Sequence, residues 1–581
     1  MYCYSLMGLF LLLLLPGGGY FSYAQAGACV LEAVLLVERI LRKKKVCVKN
    51  TPFLWGMALL TGMYCLVPIW SIDKGLAWFG AIRAIGLFLF LLCLWQCEEP
   101  AGERILGSLP YVGSVMTVLS VILMLADLFP NYISVAGRLA GSFQYPNTLG
   151  IFLLLGYIEG TNRFFAKGGK RLDLLCSYLC MVGVVCTRSR GVYGLTVLTL
   201  IMGSVILWKK KVAGDKKQSL TAGLGLGATV LVFVIMGWRR GMFAGVFSSS
   251  TLWGRLLYDL DAFKILGSHP LGLGYYGYYY LQGSYQTGVY AVTHVHNEYL
   301  QLALDIGILP ALAIVGLWIY QLLKSGGFQK GGDAGRKLML AMLCLHLLVD
   351  YDMQFLSVGM IFVCLMDGLT GGDKTSAGDF SGSEQMAIRK LSIPARGLLC
   401  VLGCAIIIGA VWLGMADAFY NLGDDQTAIK LYPGYTPALE REIAEITDVS
   451  KAGRLAERIL KRNAHDATAY EALAFSACEE GDFDHFIYYQ KKAIEARPYD
   501  EAFRLHYLTL LDRMVQEYEK AGQLEEAALA YEYMAEVPKE LSLLKKRTSK
   551  LGFRIKDVPP LTLPEEYRTM IKADKYLVYG E

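Results

Sequence analysis

Around Leu87 the chain reads FGAIRAIGLFLFLLCLW over residues 79–95, a run in which Arg83 is the single charged side chain. A helix needs about 20 mostly apolar residues to cross the ~30 Å hydrocarbon core of a bilayer, so this run predicts a membrane span. Similar runs recur along the 581 residues, of which 54% are hydrophobic and 18% are charged. This composition excludes a single soluble domain and indicates a polytopic membrane protein.

The apolar runs together predict about thirteen membrane spans. Their centres are Phe10, Val34, Leu60, Leu87, Leu119, Leu153, Cys180, Thr199, Val230, Leu312, Leu343, Val358 and Ile406. The first run, Met1 to Gly19, is followed by small residues at Ala24 and Ala26, which resembles a signal peptide. Because no Lys or Arg precedes that run, we expect a retained segment, with cleavage as the alternative.

Lys and Arg collect in short clusters, which mark the cytoplasmic ends of membrane spans. The clusters are Arg42 to Lys45, Lys167 to Arg171, Lys209 to Lys217, Lys324 to Lys337 and Arg389 to Arg396. An even number of predicted spans separates each cluster from the next. One topology therefore places every cluster on the cytoplasmic side of the membrane and the C-terminal segment on the outer side.

The same topology places several polar stretches on the outer face: Asn131 to Asn147, Thr187 to Gly191, Trp238 to Asn297, and Asp350 to Asp352. Their arginines are Arg138, Arg188, Arg190, Arg239, Arg240 and Arg255. Arginine is usually depleted on that face, and a guanidinium group binds phosphate in bidentate fashion. The concentration predicts a site for a lipid-linked phosphate or diphosphate, with ordinary head-group anchoring as the alternative.

Arg83 lies inside its predicted span, where an ionisable group costs several kcal/mol unless it is paired or lines a cavity. A functional role and snorkelling towards the interface are both consistent with its position. The cysteines, fourteen in all, sit mostly in apolar runs, which predicts free buried thiols and neither disulfides nor a zinc site. The net charge of +5 is small and scattered, so nucleic acid is not an expected partner.

The composition changes after the last span, which divides the chain into a membrane domain at 1–415 and a charged helical domain at 416–581. Within the second domain, Asp466 to Asp500 resembles a tetratricopeptide repeat. Its signature residues are Tyr470, Leu473, Ala474, Ala477, Gly481, Phe486, Ala493 and Pro498. Weaker copies begin around Ala428 and near Gly522. We expect a short helical solenoid that binds a protein or peptide ligand, with a stabilising cap as the alternative.

Three literal motifs within the outer loops give weaker signals. Gly272 to Gly277 matches a dinucleotide-binding pattern, but it lies in an outer loop and not between the strand and helix of a βαβ unit, so we reject a nucleotide site. Asp350-Tyr351-Asp352 could hold a divalent metal, but a carboxylate that orients a neighbouring Arg or His is favoured. His294-Val295-His296 lacks a further ligand for zinc, so acid–base or hydrogen-bonding work is favoured for one of the pair.

Several short motifs follow one another in an order found in a known family. They are Phe143 to Asn147 after Arg138, Ser189-Arg190-Gly191, Pro270 to Gly274, His296 to Leu300 followed by Asp305 to Ile308, and His346 to Asp352. With these residues the stretch from Phe53 to Gly371 resembles the O-antigen ligase and polymerase superfamily of bacterial membrane glycosyltransferases. The tail is similar to that of members that carry tetratricopeptide repeats.

The resemblance implies an all-α, GT-C-like bundle that transfers a glycan from a polyprenyl-diphosphate (undecaprenyl-diphosphate) carrier to an acceptor, with inversion and without metal or cofactor. By position, it implies that Arg190 and Arg255 hold the carrier's diphosphate and that His296 prepares the acceptor hydroxyl. Further substrate-binding residues are expected to be Arg83, Arg138, Arg188, His294, Asn297 and Asp350. Asp305 stands where many members have Glu, and the neighbouring His294 leaves the identity of the base open.

The resemblance also implies a location in the bacterial cytoplasmic membrane, with the tail on the outer side and the donor, a cell-envelope glycan acceptor and membrane lipid as partners. Ligases and polymerases share these motifs, so polymerisation of repeat units in polysaccharide biosynthesis is an open alternative. A transporter is disfavoured, because its ionisable residues would follow a path through the bilayer middle. Here most of them gather on the outer face.

Overall fold

The computed structural model describes residues 2–165, 169–209, 250–325, 334–369, 386–555 and 561–580. These residues form an almost entirely helical structure, as predicted, with two short strand pairs. The chain divides into two compact units. The membrane unit comprises Met1–Leu66, Trp78–Phe247 and His296–Asn421, and the tail unit comprises Val67–Ala77, Ser248–Val295 and Leu422–Glu581.

Sixteen described helices extend from the start of the chain to the last apolar segment. Two of them, labelled α10 and α11 below, belong to the tail unit. In chain order the helices are α1 (Tyr2–Leu13), α2 (Ser22–Lys43), α3 (Pro52–Leu66), α4 (Ala77–Gln96), α5 (Ala101–Leu125), α6 (Pro130–Ile133), α7 (Pro146–Phe165), α8 (Arg171–Thr187), α9 (Arg190–Lys209), α10 (Ser250–Ser268), α11 (Gly277–Tyr285), α12 (Glu298–Ile306), α13 (Ile308–Lys324), α14 (Ala334–His346), α15 (Leu356–Gly368) and α16 (Ile393–Asn421).

Every predicted span centre that falls within the described residues lies inside one of these helices. By length and composition, four described helical segments could cross a membrane: Pro52–Ile69, Ala77–Gln96, Ala101–Leu125 and Ile393–Asn421. Several other apolar helices, such as α1, α13 and α15, have 17 residues or fewer. The described part of the chain is thus all-α and contains helices apolar enough to span a membrane, while the full set of about thirteen spans stays a prediction.

Some of the sequence predictions fall on residues outside those that the structure describes. They are the span around Val230, Arg239 and Arg240, most of the cluster Lys209 to Lys217, and parts of the clusters Lys167 to Arg171 and Lys324 to Lys337.

The membrane unit is packed through small residues and buried central helices. A Cβ on Gly403 of α16 would lie 2.5 Å from Val37 of α2, and one on Gly414 would lie 2.6 Å from Ala26. Small residues of this kind let membrane helices approach closely. Along α7, every residue from Pro146 to Gly160 is buried, so this helix is enclosed by its neighbours.

One strand pair of the membrane unit joins two basic clusters. Strand β1 (Lys45–Lys49) pairs antiparallel with β4 (Met386–Lys390), with Lys45 opposite Lys390. The clusters Arg42 to Lys45 and Arg389 to Arg396 thus lie at the same end of the unit, as the predicted topology requires. The second pair, β2 (Ser134–Val135) with β3 (Arg138–Leu139), fixes the backbone at Arg138.

The tail unit is built mainly from α-helices that pack on their neighbours in the chain. They are α17 (Asp425–Leu431), α18 (Thr436–Glu445), α19 (Val449–Leu460), α20 (Ala467–Glu479), α21 (Phe483–Ala496), α22 (Glu501–Lys520), α23 (Leu524–Arg547) and α24 (Glu565–Tyr579). Between α20 and α21, Gly481 takes a φ of +74°, and between α22 and α23, Gly522 takes a φ of +73°.

The core of the tail unit contains the small and aromatic residues of the predicted repeat. Ala474, Ala477, Phe486 and Ala493 are all buried in one cluster. The helix pairs therefore pack through the positions that the repeat pattern indicated, and the tetratricopeptide assignment itself stays a prediction.

Candidate catalytic site

The arginine-rich turn of the membrane unit lies between α8 and α9. Helix α8 ends at Thr187, Arg188 adopts a left-handed conformation with φ +51°, and Arg190 begins α9. Ser189 is buried, whereas both arginines are exposed. The short turn thus keeps two guanidinium groups within three residues of each other, with their charges available to a ligand.

Arg138 lies beside this turn and is held by two hydrogen bonds. Its Nε donates to the Thr187 carbonyl oxygen at 3.0 Å, and its Nη2 donates to Oδ1 of Asn147 at 2.7 Å. A Cβ on the adjacent Gly137 would lie 3.9 Å from Nη1 of Arg188. The structure therefore brings together the two arginine-bearing segments that were predicted to share a face.

Asp350 is the buried carboxylate at the end of this chain of contacts. It accepts hydrogen bonds from Nδ2 of Asn147 at 2.8 Å and from the Tyr145 hydroxyl at 2.9 Å. Since Asn147 in turn accepts from Arg138, Asp350 fixes the side chain that orients the arginine. This arrangement agrees with the interpretation favoured from the sequence, in which a carboxylate of the Asp350-Tyr351-Asp352 motif orients a neighbouring arginine.

His296 contacts the same group of side chains through aromatic rings. Its imidazole meets the Tyr351 ring edge-on, with the centroids 5.1 Å apart, and Tyr351 stacks on Tyr145 at 5.1 Å. The next residue, Asn297, caps α12 by accepting the Leu300 N–H at 3.2 Å. His296 is only partly buried, so it can reach a substrate, while Asn297 already has a structural task.

A histidine that was not among the predicted site residues forms a buried pair beside this network. Nδ1 of His346 is hydrogen-bonded to Oδ2 of Asp352, whose Oδ1 accepts from the Thr148 hydroxyl at 2.7 Å. A Cβ on Gly191 would lie 3.9 Å from Nε2 of His346. The ring therefore faces the first turn of α9, next to Arg190.

Arg83 is buried and paired, so the snorkelling alternative is wrong. Its Nη2 donates to the Tyr64 hydroxyl at 2.9 Å, and the same nitrogen lies 3.9 Å from Oδ2 of Asp305. The Tyr64 hydroxyl donates to that carboxylate at 2.6 Å, and Gln301 donates to its other oxygen at 2.7 Å. The charge of Arg83 is thus neutralised inside the unit.

A second branch of the Arg83 cluster runs through Gln354. Arg83 is hydrogen-bonded to the side chain of Gln354, which donates to Oε1 of Glu298 at 2.9 Å. The Gln354 carbonyl oxygen accepts from Gln25 of α2 at 3.1 Å. These bonds tie α2, α4 and α12 to the turn that follows Asp352.

Two predicted site residues, Arg255 and His294, belong to the tail unit. Arg255 is half-buried on α10, and its charge opposes the effect of burial, which raises the pKa of Tyr258 one turn later. His294 is buried against two aromatic rings, those of Tyr275 at 5.9 Å and Tyr276 at 5.4 Å. Roles of Arg255 beside Arg190, and of His294 in substrate binding, stay predictions.

The cysteines are free thiols, as predicted. Most of these thiols are buried or half-buried, but the side chain of Cys404 on α16 is exposed on the protein surface. An apolar helix such as α16 can face lipid at such a position. Within the described ranges, no three His, Cys, Asp or Glu side chains come together in a way that could hold a metal ion.

Sequence reasoning missed Tyr64 and Gln354 as parts of these networks, and it named Glu298, His346 and Asp352 only as members of short motifs. A signal for some of them was present, because polar side chains inside apolar runs require partners. Gln301 and Asp305 also stand one helical turn apart. Their partners on distant helices could not be identified, since no local spacing links Arg83 to residues around 300 and 354.

One comparison with known proteins gives a match. Residues 175–315 match the family model for O-antigen ligase, and the matched range includes Arg190, Arg255 and His296. No curated protein and no solved structure matches the chain.

Proposed function

We propose that this chain, which carries an O-antigen ligase family domain at residues 175–315, transfers a glycan from a polyprenyl-diphosphate carrier to an acceptor hydroxyl on the outer face of the membrane. The observation that carries the proposal is the cluster of Arg138, Arg188 and Arg190 around one turn, backed by the buried Asp350. The family and the apolar helices support a membrane enzyme of the ligase or polymerase type.

The chemistry of the leaving group explains the use of arginine. When the bond between sugar C1 and the diphosphate oxygen breaks, negative charge grows on the diphosphate. A pre-positioned donor in a water-poor site is worth on the order of 10² to 10³ in rate, and arginine keeps its charge at any physiological pH. We assign the leaving-group oxygens to Arg190 and Arg255, with Arg138 and Arg188 supporting them.

The acceptor hydroxyl needs a group that accepts its proton or orients it. His296 suits this role, because it is only partly buried and its ring is fixed against Tyr351. A general base of this kind contributes about 10² to 10⁴ in rate. His346 faces the first turn of α9 with Asp352 behind it. We assign it to orienting that turn, so it is a positioning residue.

The contacts within each unit support the proposed topology. The stretches around Arg138, Thr187, Asp350 and His296 meet in one polar network, as expected if all of them lie on the outer face. The loop Ser248–Val295 and the tail share the other unit, as expected if the tail is extracytoplasmic. A bacterial cytoplasmic membrane with an outward-facing tail follows from this proposal.

The experiment uses purified protein with a polyprenyl-diphosphate-linked glycan and scores release of polyprenyl diphosphate, with and without acceptor and chelator. The expected result is release that depends on acceptor and is unchanged by chelator. Absence of release under every condition would overturn the transferase proposal. A second glycan-loaded carrier that serves as acceptor, and is elongated, would identify a polymerase and not a ligase.

A further inference from the structure

The short loop Val67–Ala77 belongs to the tail unit through a buried aspartate. Asp73 is fully buried and accepts hydrogen bonds from the Gly75 and Leu76 N–H groups at 2.8 Å each. Its other oxygen accepts from the Thr436 hydroxyl at 2.6 Å and from Asn463 at 3.3 Å. One carboxylate therefore joins the loop between α3 and α4 to two separate tail segments.

Glycines let the backbones of these loops touch the tail directly. A Cβ on Gly75 would overlap the carbonyl oxygen of Gly434, and a Cβ on Gly283 would overlap the carbonyl oxygen of Ala496. A Cβ on Gly288 would lie 2.8 Å from the Cα of Gly552. Because backbone atoms cannot move aside as a side-chain tip can, these positions do not accept a larger residue.

Polar bonds fix the loop that follows α11 between α10 and the tail. Asp261 of α10 accepts from the Thr287 N–H at 2.9 Å and from the Tyr290 hydroxyl at 3.2 Å. The Thr287 carbonyl oxygen accepts from the Ser549 N–H at 2.9 Å and its hydroxyl at 3.1 Å. Arg547 also donates to the Ser284 carbonyl oxygen.

Two arginines of the tail add contacts to aromatic rings of the loop. The Arg497 guanidinium lies 5.7 Å from the centre of the Tyr279 ring and donates to its hydroxyl at 3.3 Å. Arg554 lies 5.1 Å from the centre of the Trp253 ring. Trp253 precedes Arg255 by two residues on α10. The tail therefore contacts the helix that carries Arg255, the residue proposed to bind the diphosphate.

From these contacts we propose that the helical tail is a positioning element for donor binding: it holds α10, α11 and the Val67–Ala77 loop in one fixed arrangement. The proposal rests on the proposed role of Arg255. It assigns the tail a task inside the transferase itself, in addition to any ligand that its helices bind. We assign Asp73, Gly75, Gly283 and Gly288 as positioning residues that act through the segments they hold, with no role in contacting the substrate.

The test compares Gly283→Ala and Gly288→Ala with Gly267→Ala as the matched control. Gly267 lies near the end of α10, in the same segment Ser248–Val295. A Cβ there meets nothing within 4 Å, so the control adds the same methyl group without strain. The first measurement is protease cleavage within residues 269–295 of the full-length protein in detergent. The proposal expects faster cleavage in the two test variants and unchanged cleavage in the control.

The second measurement is the affinity for polyprenyl diphosphate in the absence of acceptor. Hydrogen bonds to charged groups are strong, so a displaced Arg255 should lower the affinity by about 10-fold or more in each test variant. The KM for the acceptor should change much less. If the tail served only the acceptor, the acceptor KM would rise while donor affinity stayed the same, which would overturn the proposal.

The two proposals fail in different ways. If Arg255→Ala leaves donor affinity unchanged, the role of Arg255 in the proposed function is wrong, whatever the glycine variants do. If Arg255→Ala weakens donor binding but Gly283→Ala and Gly288→Ala match the control in both measurements, the positioning role of the tail is wrong. To keep a folding failure from deciding the outcome, Arg497→Lys keeps the positive charge but removes the guanidinium that donates to Tyr279, and it should give a smaller change in the same direction.

Discussion

The membrane unit and the tail unit both bury polar groups, but they satisfy them differently. In the membrane unit, Arg83, Asp305 and Tyr64 satisfy one another through side-chain bonds between helices. In the tail unit, Asp73 and Asp261 are satisfied largely by N–H and hydroxyl groups of loops. The first arrangement neutralises charged side chains between helices, and the second fixes the positions of loops.

This difference predicts which kind of substitution should be most harmful in each unit. Changes of charge should be most severe in the membrane unit, because a buried ion without its partner has no water to solvate it. Changes of size at glycines should matter most in the tail unit, where backbones are in contact. The predictions below test that division, from the largest expected effect to the smallest.

The largest expected effect is a loss of transfer activity in the Arg190→Ala variant. Loss of one leaving-group donor should lower the rate of glycan transfer by about 10²- to 10³-fold, because no other charge takes its exact place at the start of α9. Arg171→Ala is the matched control, since Arg171 is an exposed arginine at the other end of the preceding helix α8. Equal activity of the two variants would contradict the assignment of Arg190.

The next largest expected effect is a loss of stability in the Arg83→Met variant. Removing one partner of a buried ion pair typically costs about 3–5 kcal/mol, so unfolding in a mild detergent should begin at a much lower temperature. Asp305→Asn in the same protein removes the uncompensated carboxylate. The double variant should therefore be more stable than Arg83→Met alone, and a double variant that is less stable would show that the two charges do not act as a pair.

A smaller loss of stability, confined to the tail unit, is expected from Asp73→Asn. The asparagine amide would point N–H groups at the Gly75, Leu76 or Thr436 donors, and an unsatisfied buried group costs about 1–3 kcal/mol. Hydrogen exchange in α18 and in the Val67–Ala77 loop should become faster, while α7 stays protected. Uniform acceleration in both units would contradict this division.

The sequence could predict much of the fold but only part of the site. Apolar runs located the helices, because a bilayer demands a fixed length of apolar chain. The arginines of the turn at Arg188 and Arg190 were found for the same reason, since charge is conspicuous beside such runs. The contacts of Gly75, Gly283 and Gly288 could not be predicted, because a glycine gives no sign of which distant backbone approaches it.

The smallest effect is a pH dependence of tail stability set by Asp574. Burial, together with the nearby Asp512, raises the pKa of Asp574 from 3.8 to about 7. The folded tail therefore holds a proton that the unfolded chain has already lost, and stability from this group is lost as the pH rises from 3.8 to about 7. Asp574→Asn should stabilise the protein relative to wild type at pH 8, with little difference at pH 4. A difference of the same size at both values would contradict the assignment.

The central proposal is that Arg190 and Arg255 bind one diphosphate, and the most direct test of it is ligand binding in nanodiscs without acceptor. Affinities for polyprenyl diphosphate and polyprenyl monophosphate are measured for the wild type, Arg190→Ala, Arg255→Ala and the double variant. Two sites that share a ligand show coupled effects, so each single variant should lose the preference for diphosphate, and the double variant should lose little more. Wild-type preference in either single variant, or independent and additive losses, would contradict the claim.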